Sequence, residues 1–288
     1  GDVGDLDALP EELRAYESRL ARIALASIQE ISGAVRGAVA RWGSDRVAIV
    51  FGTSTAGIER TEWAYRAFVQ DGVLPADYDF RKQHAFHAPA EMLAGVLGLS
   101  GPSYVISTAC SSSGKTFGSA RRLLEAGLVD AVLVGGVDSR CLMTLRGFHS
   151  LGILNPGRCT PFGKDRAGMN IGEGGAWVLL ERETPDGGEA PVYLLGVGET
   201  CDAYHMTSPH PEGRGAMGAM TEALAQAGVA ASEVAMVNAH GTGTVLNDRA
   251  EGRAIHELLG PDVPVASTKA YTGHLLGACA VTEAVFSI

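Results

Sequence analysis

Cys110, His240 and His274 are the residues of this sequence whose types and settings could do covalent chemistry. Cys110 follows the short apolar run Tyr104-Val-Ile106 and the turn Ser107-Thr-Ala, and it precedes the small residues Ser111-Ser-Ser-Gly114. That pattern predicts a thiol at the N-terminus of a helix, where orphan N–H groups and the helix dipole favour the reactive thiolate. A buried structural cysteine is the bland alternative, and the strand–turn–helix setting favours a nucleophile. His240 lies in Asn238-Ala-His-Gly-Thr-Gly-Thr244, exposed at a tight turn that ends an apolar run. An ordinary loop histidine is its bland reading. The hydroxyls of Thr242 and Thr244 could hold an amide-bearing substrate arm. His274 stands in Ser267-Thr-Lys269-Ala-Tyr-Thr-Gly-His274-Leu-Leu-Gly277, where the pattern predicts the start of a helix. A helix dipole there would keep the imidazole neutral and able to donate a hydrogen bond. Lys269 precedes it on the same loop. Glu283 falls in an otherwise apolar stretch, where a carboxylate is costly unless it meets a cation such as Lys269. A solvent-facing glutamate is the alternative there.

The elements that must position these residues follow an alternating rhythm. Apolar spacing from Leu6 to Arg41 predicts helix. Arg46–Gly52, Tyr104–Ile106 and Ala131–Val137 read as buried strands, with helices at Glu59–Gln70, Pro89–Leu97 and Ser111–Ala126 between them. Continuous apolar strands of this kind belong in the middle of a sheet covered on both faces. Arg146 to Gly175 reads as irregular, and Trp177–Leu180 and Val192–Val197 as two further strands separated by the turn Thr184-Pro-Asp-Gly-Gly188. Helices at Gly215–Ala227, Asp248–Leu259 and from His274 onward then alternate with strands at Val234–Ala239 and Val263–Ala266. Strand, Ser107-Thr108 and a small-residue helix in the first half are echoed by strand, Ser267-Thr268 and a helix in the second. Each places its reactive residues at the helix-side end of a strand.

The net charge of −10 excludes a nucleic-acid partner, since phosphate binding needs a basic surface. Arg81 with Lys82, and Arg121 with Arg122, are local basic pairs that read as solvated faces or docks for an acidic partner. The five cysteines make no C-x-x-C and have no zinc-like histidine spacing, so metal is not indicated and reduced thiols are expected. Without a secretory signal or a run long enough to span a bilayer, the expected compartment is cytoplasmic.

Taken together, Ser107-Thr-Ala-Cys-Ser-Ser-Ser113, Asn238–Thr244 and Ser267-Thr-Lys…Gly273-His-Leu-Leu-Gly277 resemble the three signatures of the β-ketoacyl-acyl-carrier-protein synthase I/II family. They also resemble the ketosynthase domains of polyketide synthases. Asp165–Gly174 and Asp202–Pro209 resemble further family segments. The resemblance implies the thiolase fold, an α/β/α/β/α layered architecture of two duplicated halves, here 1–185 with the nucleophile and 190–288 with the two histidines. It implies an acyltransferase in fatty acid or polyketide biosynthesis that condenses a Cys110-bound acyl group with malonyl carried on acyl carrier protein, with loss of carbon dioxide. His240 and His274 would stabilise the enolate, and Lys269 with Glu283 would order the site. Thr242 and Thr244 would contact phosphopantetheine, and Phe148 would line the acyl pocket. No free cofactor is implied, because the substrates arrive on phosphopantetheine.

The family's first strand and its C-terminal Gly-Phe-Gly-Gly segment have no counterpart here, so a fold lacking both is expected. Lys115 and Met169 also depart from the usual pattern. The late Cys279 lies in a helix and not in a Cys-x-Gly loop, which argues against a thiolase. The second histidine argues against the synthase III group. A non-catalytic chain-length factor is the reading from another class, and it typically lacks the nucleophile that Cys110 supplies. The resemblance implies a homodimer through the strand at Ser103–Ile106. The segment Val134–Phe148 also resembles aryl-polyene ketosynthases, which would pair with a chain-length factor in a heterodimer.

Overall fold

The computed structural model describes residues 1–183 and 192–288. The expected turn at Thr184–Gly188, and with it the division of the chain into halves at 185 and 190, lies outside the described residues. In chain order the helices and strands are α1 (Arg19–Gln29), α2 (Ser32–Trp42), β1 (Val47–Gly52), α3 (Ile58–Asp71), α4 (Phe80–Gln83), α5 (Ala88–Leu97), β2 (Ser103–Ile106) and α6 (Ser112–Glu125). There follow β3 (Ala131–Asp138), α7 (Leu142–Ser150), β4 (Gly174–Glu181), α8 (Arg214–Ala227), β5 (Val237–Asn238), α9 (Val245–Leu259), β6 (Val265–Ala266), α10 (Lys269–Thr272) and α11 (Cys279–Ser287). They form two compact units. One comprises Gly1–Gly147, residues 171–183 and Leu275–Phe286, and the other Phe148–Asn170, residues 192–274 and the last two residues.

The first unit is built on a four-stranded sheet of order β2-β1-β3-β4. β1 pairs in parallel with β2 and β3, whereas β4 runs antiparallel to β3. Every residue of β1 and β3 is buried, as continuous apolar runs require of central strands. Alternation divides their side chains between two faces. Ile49, Phe51, Leu133 and Val137 pack with Leu20, Ile23 and Leu93 from α1 and α5. Ala48, Val50, Val132 and Val134 pack with Phe117, Ala120 and Leu124 of α6 on the other face. Each large side chain so buried contributes about 1.5–3 kcal/mol. The glycines of β3 are sites of close approach. A Cβ at Gly135 would collide with the Trp177 ring, and one at Gly136 with Ser113.

The second unit holds a two-stranded parallel sheet, β5 against β6, with Val237 opposite Val265. These strands are shorter than the apolar runs Val234–Ala239 and Val263–Ala266 predict. Val192–Val197 forms no strand. Its chain runs along α8, where Val197 N–H donates to Gln226 Oε1 and Glu199 N–H to Glu222 Oε2. Side chains of the helix thus take backbone donors that a ladder would otherwise use. Gly196 and Gly198 permit this approach, since a Cβ at either would strike α8 backbone at Ala223 or Ala219.

Two further expectations are corrected. The helical spacing of Leu6–Arg41 is broken into α1 and α2, with Ser18 capping α1 by accepting from Ala21 N–H at 3.1 Å. The glycine- and proline-rich stretch after Arg146 is irregular only beyond α7. No helix among the described residues is long and apolar enough to cross a membrane.

Candidate active site

In the first unit, β2 ends at Ile106 and α6 starts at Ser112, leaving five residues to turn the chain. Ala109 takes a φ of +55°, a left-handed conformation that costs a residue with a Cβ about 1–2 kcal/mol. Local hydrogen bonds hold the turn against that cost. Ser112 Oγ accepts from Thr108 N–H at 2.9 Å and donates to Ala109 O at 2.6 Å. Ser111 Oγ donates to Thr108 O at 2.8 Å. Cys110 therefore sits half-buried at the tip of a braced turn, two residues before the first turn of a 14-residue helix. The serines that follow the cysteine are thus its scaffold. Ser113, the next in line, accepts from Val281 N–H at 3.2 Å and ties α6 to α11.

In the second unit, the turn after β5 carries His240 and is held from below by α9. Glu251 accepts the N–H of His240 at 2.6 Å and of Gly241 at 2.8 Å. Asp248, one turn earlier on α9, accepts the N–H of Gly243 at 3.1 Å and of Phe162 at 2.7 Å. A Cβ at Gly243 would meet Cys159 Sγ and Gly168 O, and the φ of +75° there suits glycine. The buried Thr242 hydroxyl shares a 2.8 Å hydrogen bond with that of Thr244. Neither carboxylate was read from the sequence. Their i,i+3 spacing immediately after Gly241-Thr-Gly-Thr244 was the available signal, because it puts both on one helix face beside the turn.

The segment from Ser267 brings Lys269 and His274 to His240. The two imidazoles stand edge to face, with ring centroids 5.3 Å apart at 86°. His274 is 1% exposed and Lys269 also 1%. Burial, then the Lys269 charge, lowers the His274 pKa to about 3. His240 keeps some accessible surface, yet burial is the first cause pushing its pKa well below the usual histidine value, followed by Lys269 and His274. Both rings are neutral at pH 7, and each can donate one N–H to a developing oxyanion.

The expected reason for neutrality is corrected. His274 does not start a helix: it follows α10, its N–H donates to Asn170 O at 2.7 Å, and α11 begins at Cys279. Burial and a neighbouring cation do what a helix dipole was expected to do.

A pH prediction follows from the sign of the shift. Unfolded His274 would take a proton near 6.5, and the folded residue only near 3. Between those values the unfolded chain binds more protons, so this histidine's contribution to stability is lost as pH falls through that window. The melting temperature of wild type should decline across it more steeply than that of His274→Gln, which a pH series of thermal melts checks.

Two sequence candidates remain. Glu283 is half-buried on α11 in the first unit, and Phe148 half-buried on α7 at the start of the second.

A family model described as the N-terminal domain of β-ketoacyl synthase matches residues 18–185, and one for the C-terminal domain matches 192–288. The 3-oxoacyl-[acyl-carrier-protein] synthase 2 of Vibrio cholerae is 36% identical over 264 residues, covering 84% of this chain and 62% of that protein. Its namesake from Synechocystis is 32% identical over 304 residues, covering 100% and 73%. Among solved structures, a chain of the complex of the ketosynthase ApeO with its chain length factor ApeC, from Xenorhabdus doucetiae, superposes with a TM-score of 0.92. It is 42% identical and is matched over 99% of this chain and 71% of its own. A β-ketoacyl synthase from Burkholderia phymatum gives a TM-score of 0.87 at 25% identity, over 99% and 73%. The chain thus spans 62% to 73% of the length of these proteins, with the fold of the ketosynthases. With both domain models matched in order along it, this chain belongs to the β-ketoacyl synthase family.

Proposed function

We propose that this chain carries the condensing site of a 3-oxoacyl-[acyl-carrier-protein] synthase, with Cys110, His240 and His274 as its catalytic residues. The observation that carries the reading is the pair of neutral imidazoles 5.3 Å apart in a family member that retains the cysteine. Cys110 thiolate attacks the carbonyl of an acyl thioester, and the carrier's thiol leaves. Malonyl bound to a second carrier then loses carbon dioxide, and the electron pair passes into the thioester enolate. His240 and His274 donate to the enolate oxygen. The enolate carbon attacks the Cys110 acyl carbonyl and the thiolate departs, leaving a 3-oxoacyl chain two carbons longer on the carrier. Covalent capture makes this last step an attack between held groups.

Lys269 and Glu283 are proposed as the pair that orders the site, the lysine also keeping both imidazoles neutral. Thr242 and Thr244 would contact the phosphopantetheine arm, and Phe148 would line the acyl pocket. No free cofactor enters this chemistry, since decarboxylation supplies the carbanion. The two halves are proposed to be 1–185 and 190–288, a reading supported by family models that match 18–185 and 192–288.

The partner is proposed to be an acyl carrier protein, and the setting the cytosol. The chain would dimerise through β2, an edge strand of its sheet with Ser103 exposed. The likeness to a chain of the ApeO–ApeC complex favours a chain length factor as the second subunit over a second copy. Retention of Cys110 favours the catalytic over the non-catalytic role for this chain. Incubation of the protein with acyl-carrier and malonyl-carrier thioesters, read by mass spectrometry of the carrier, should yield the 3-oxoacyl product and one carbon dioxide per turnover. Absence of product, with and without a chain length factor, would overturn the reading.

A further inference from the structure

Asp138, at the end of β3, is fully buried and belongs to none of the catalytic roles above. Its carboxylate gathers donors from two places on the chain. Oδ1 accepts from the hydroxyls of Thr53 (2.6 Å) and Thr55 (2.9 Å) and from the N–H of Thr55 (3.1 Å). Ser54 N–H lies 2.8 Å from Oδ2 and 3.1 Å from Oδ1. The remaining donor is distant in sequence: Gly277 N–H meets Oδ2 at 2.6 Å. Leaving such a carboxylate buried without donors would be costly, so its partners are held tightly.

Gly277 follows His274 by three residues, with Leu275 and Leu276 between them. Both are buried, as is Ala278 just beyond, and Leu276 sits at a strained φ of +52°. A Cβ at Gly277 would collide with Ser54 and with Asp138 itself. On its other side His274 is fixed by its own N–H to Asn170 O. The loop that supplies Asp138 with donors also touches the nucleophile's helix, since Ser112 Oγ lies 3.4 Å from Thr53 O.

We propose that Asp138 is a positioning residue for the condensation: by clamping the Gly277 amide to the loop after β1, it fixes the chain end that sets His274. This rests on the function proposed above. Asp138→Asn disrupts the Oδ2 side of the network, where Gly277 and Ser54 donate. Its one carbonyl oxygen is best placed at Oδ1, facing two hydroxyls and an N–H. The amide NH2 then faces Gly277 N–H, donor against donor, while Ser54 N–H keeps only its longer approach to Oδ1. Thr55→Val removes one donor from Oδ1 and leaves the Gly277 bond intact.

Two readouts test the proposal. In Asp138→Asn, amide hydrogen exchange in the peptide containing Gly277 should accelerate about tenfold to a hundredfold, the scale of one charge-assisted hydrogen bond. The ratio of malonyl decarboxylation to acyl loading should fall by about the same factor, while in Thr55→Val that ratio should stay within about twofold of wild type. Unchanged exchange at Gly277, an unchanged ratio, or an equal loss of the ratio in both variants would overturn the proposal. If wild type itself fails to decarboxylate malonyl thioesters, the proposed function falls and with it the catalytic role of Asp138. The exchange experiment would then decide the clamp by itself.

Discussion

Cys110→Ala should accept no acyl group from a carrier thioester, and its condensation rate should fall by about four orders of magnitude or more. The expectation rests on Cys110 alone standing on the turn between β2 and α6. Cys141 and Cys159 are buried thiols whose pKa values burial raises, which disfavours the thiolate there. The turn itself should survive the change. It is braced by hydrogen bonds among Thr108, Ala109, Ser111 and Ser112. A melting temperature near that of wild type would separate lost chemistry from lost fold. Condensation retained by this variant would sink the mechanism.

The histidine variants should fail at the opposite step. His240→Ala and His274→Ala should load acyl groups at rates near wild type, yet decarboxylate malonyl thioester about a hundredfold to a thousandfold more slowly, the usual cost of removing an oxyanion donor. Main-chain bonds hold both residues: Glu251 takes His240 N–H, and Asn170 takes that of His274. Side-chain truncation therefore leaves the loops anchored. His274 is fully buried, so its alanine variant also creates a cavity and should melt at a lower temperature than His240→Ala. Carbon dioxide release measured alongside acyl loading distinguishes the steps. Equal losses in both would mean that the histidines serve the fold rather than the enolate.

Much of the frame was legible because local pattern and final burial coincide. β1 and β3 read as buried strands from unbroken apolar runs, and all their residues are buried. The antiparallel direction of β4 was not legible, since a strand's pattern does not depend on which way its neighbour runs. Val192–Val197 misled for a related reason. Its residues favour extended chain, but α8 supplies its hydrogen-bond partners, and no local feature announces that.

In the site, the cysteine and the two histidines stood out by type and setting, whereas their supports did not. Ala109 gives no sign in its side chain of a left-handed backbone. Asp248, Glu251 and Asp138 look like ordinary carboxylates on a helix and at a strand end. Only the fold reveals that each accepts main-chain N–H groups from another part of the chain. The neutrality of His274 was anticipated with the wrong cause, because the break between α10 and α11 is a tertiary feature that helical spacing does not encode.

The central claim is that Cys110 carries the acyl chain, and intact mass after incubation with an acyl thioester tests it most directly. One added acyl group is expected, mapped by peptide fragmentation to Cys110 and missing from Cys110→Ala. An adduct on another residue, or an equal adduct in the variant, would contradict it.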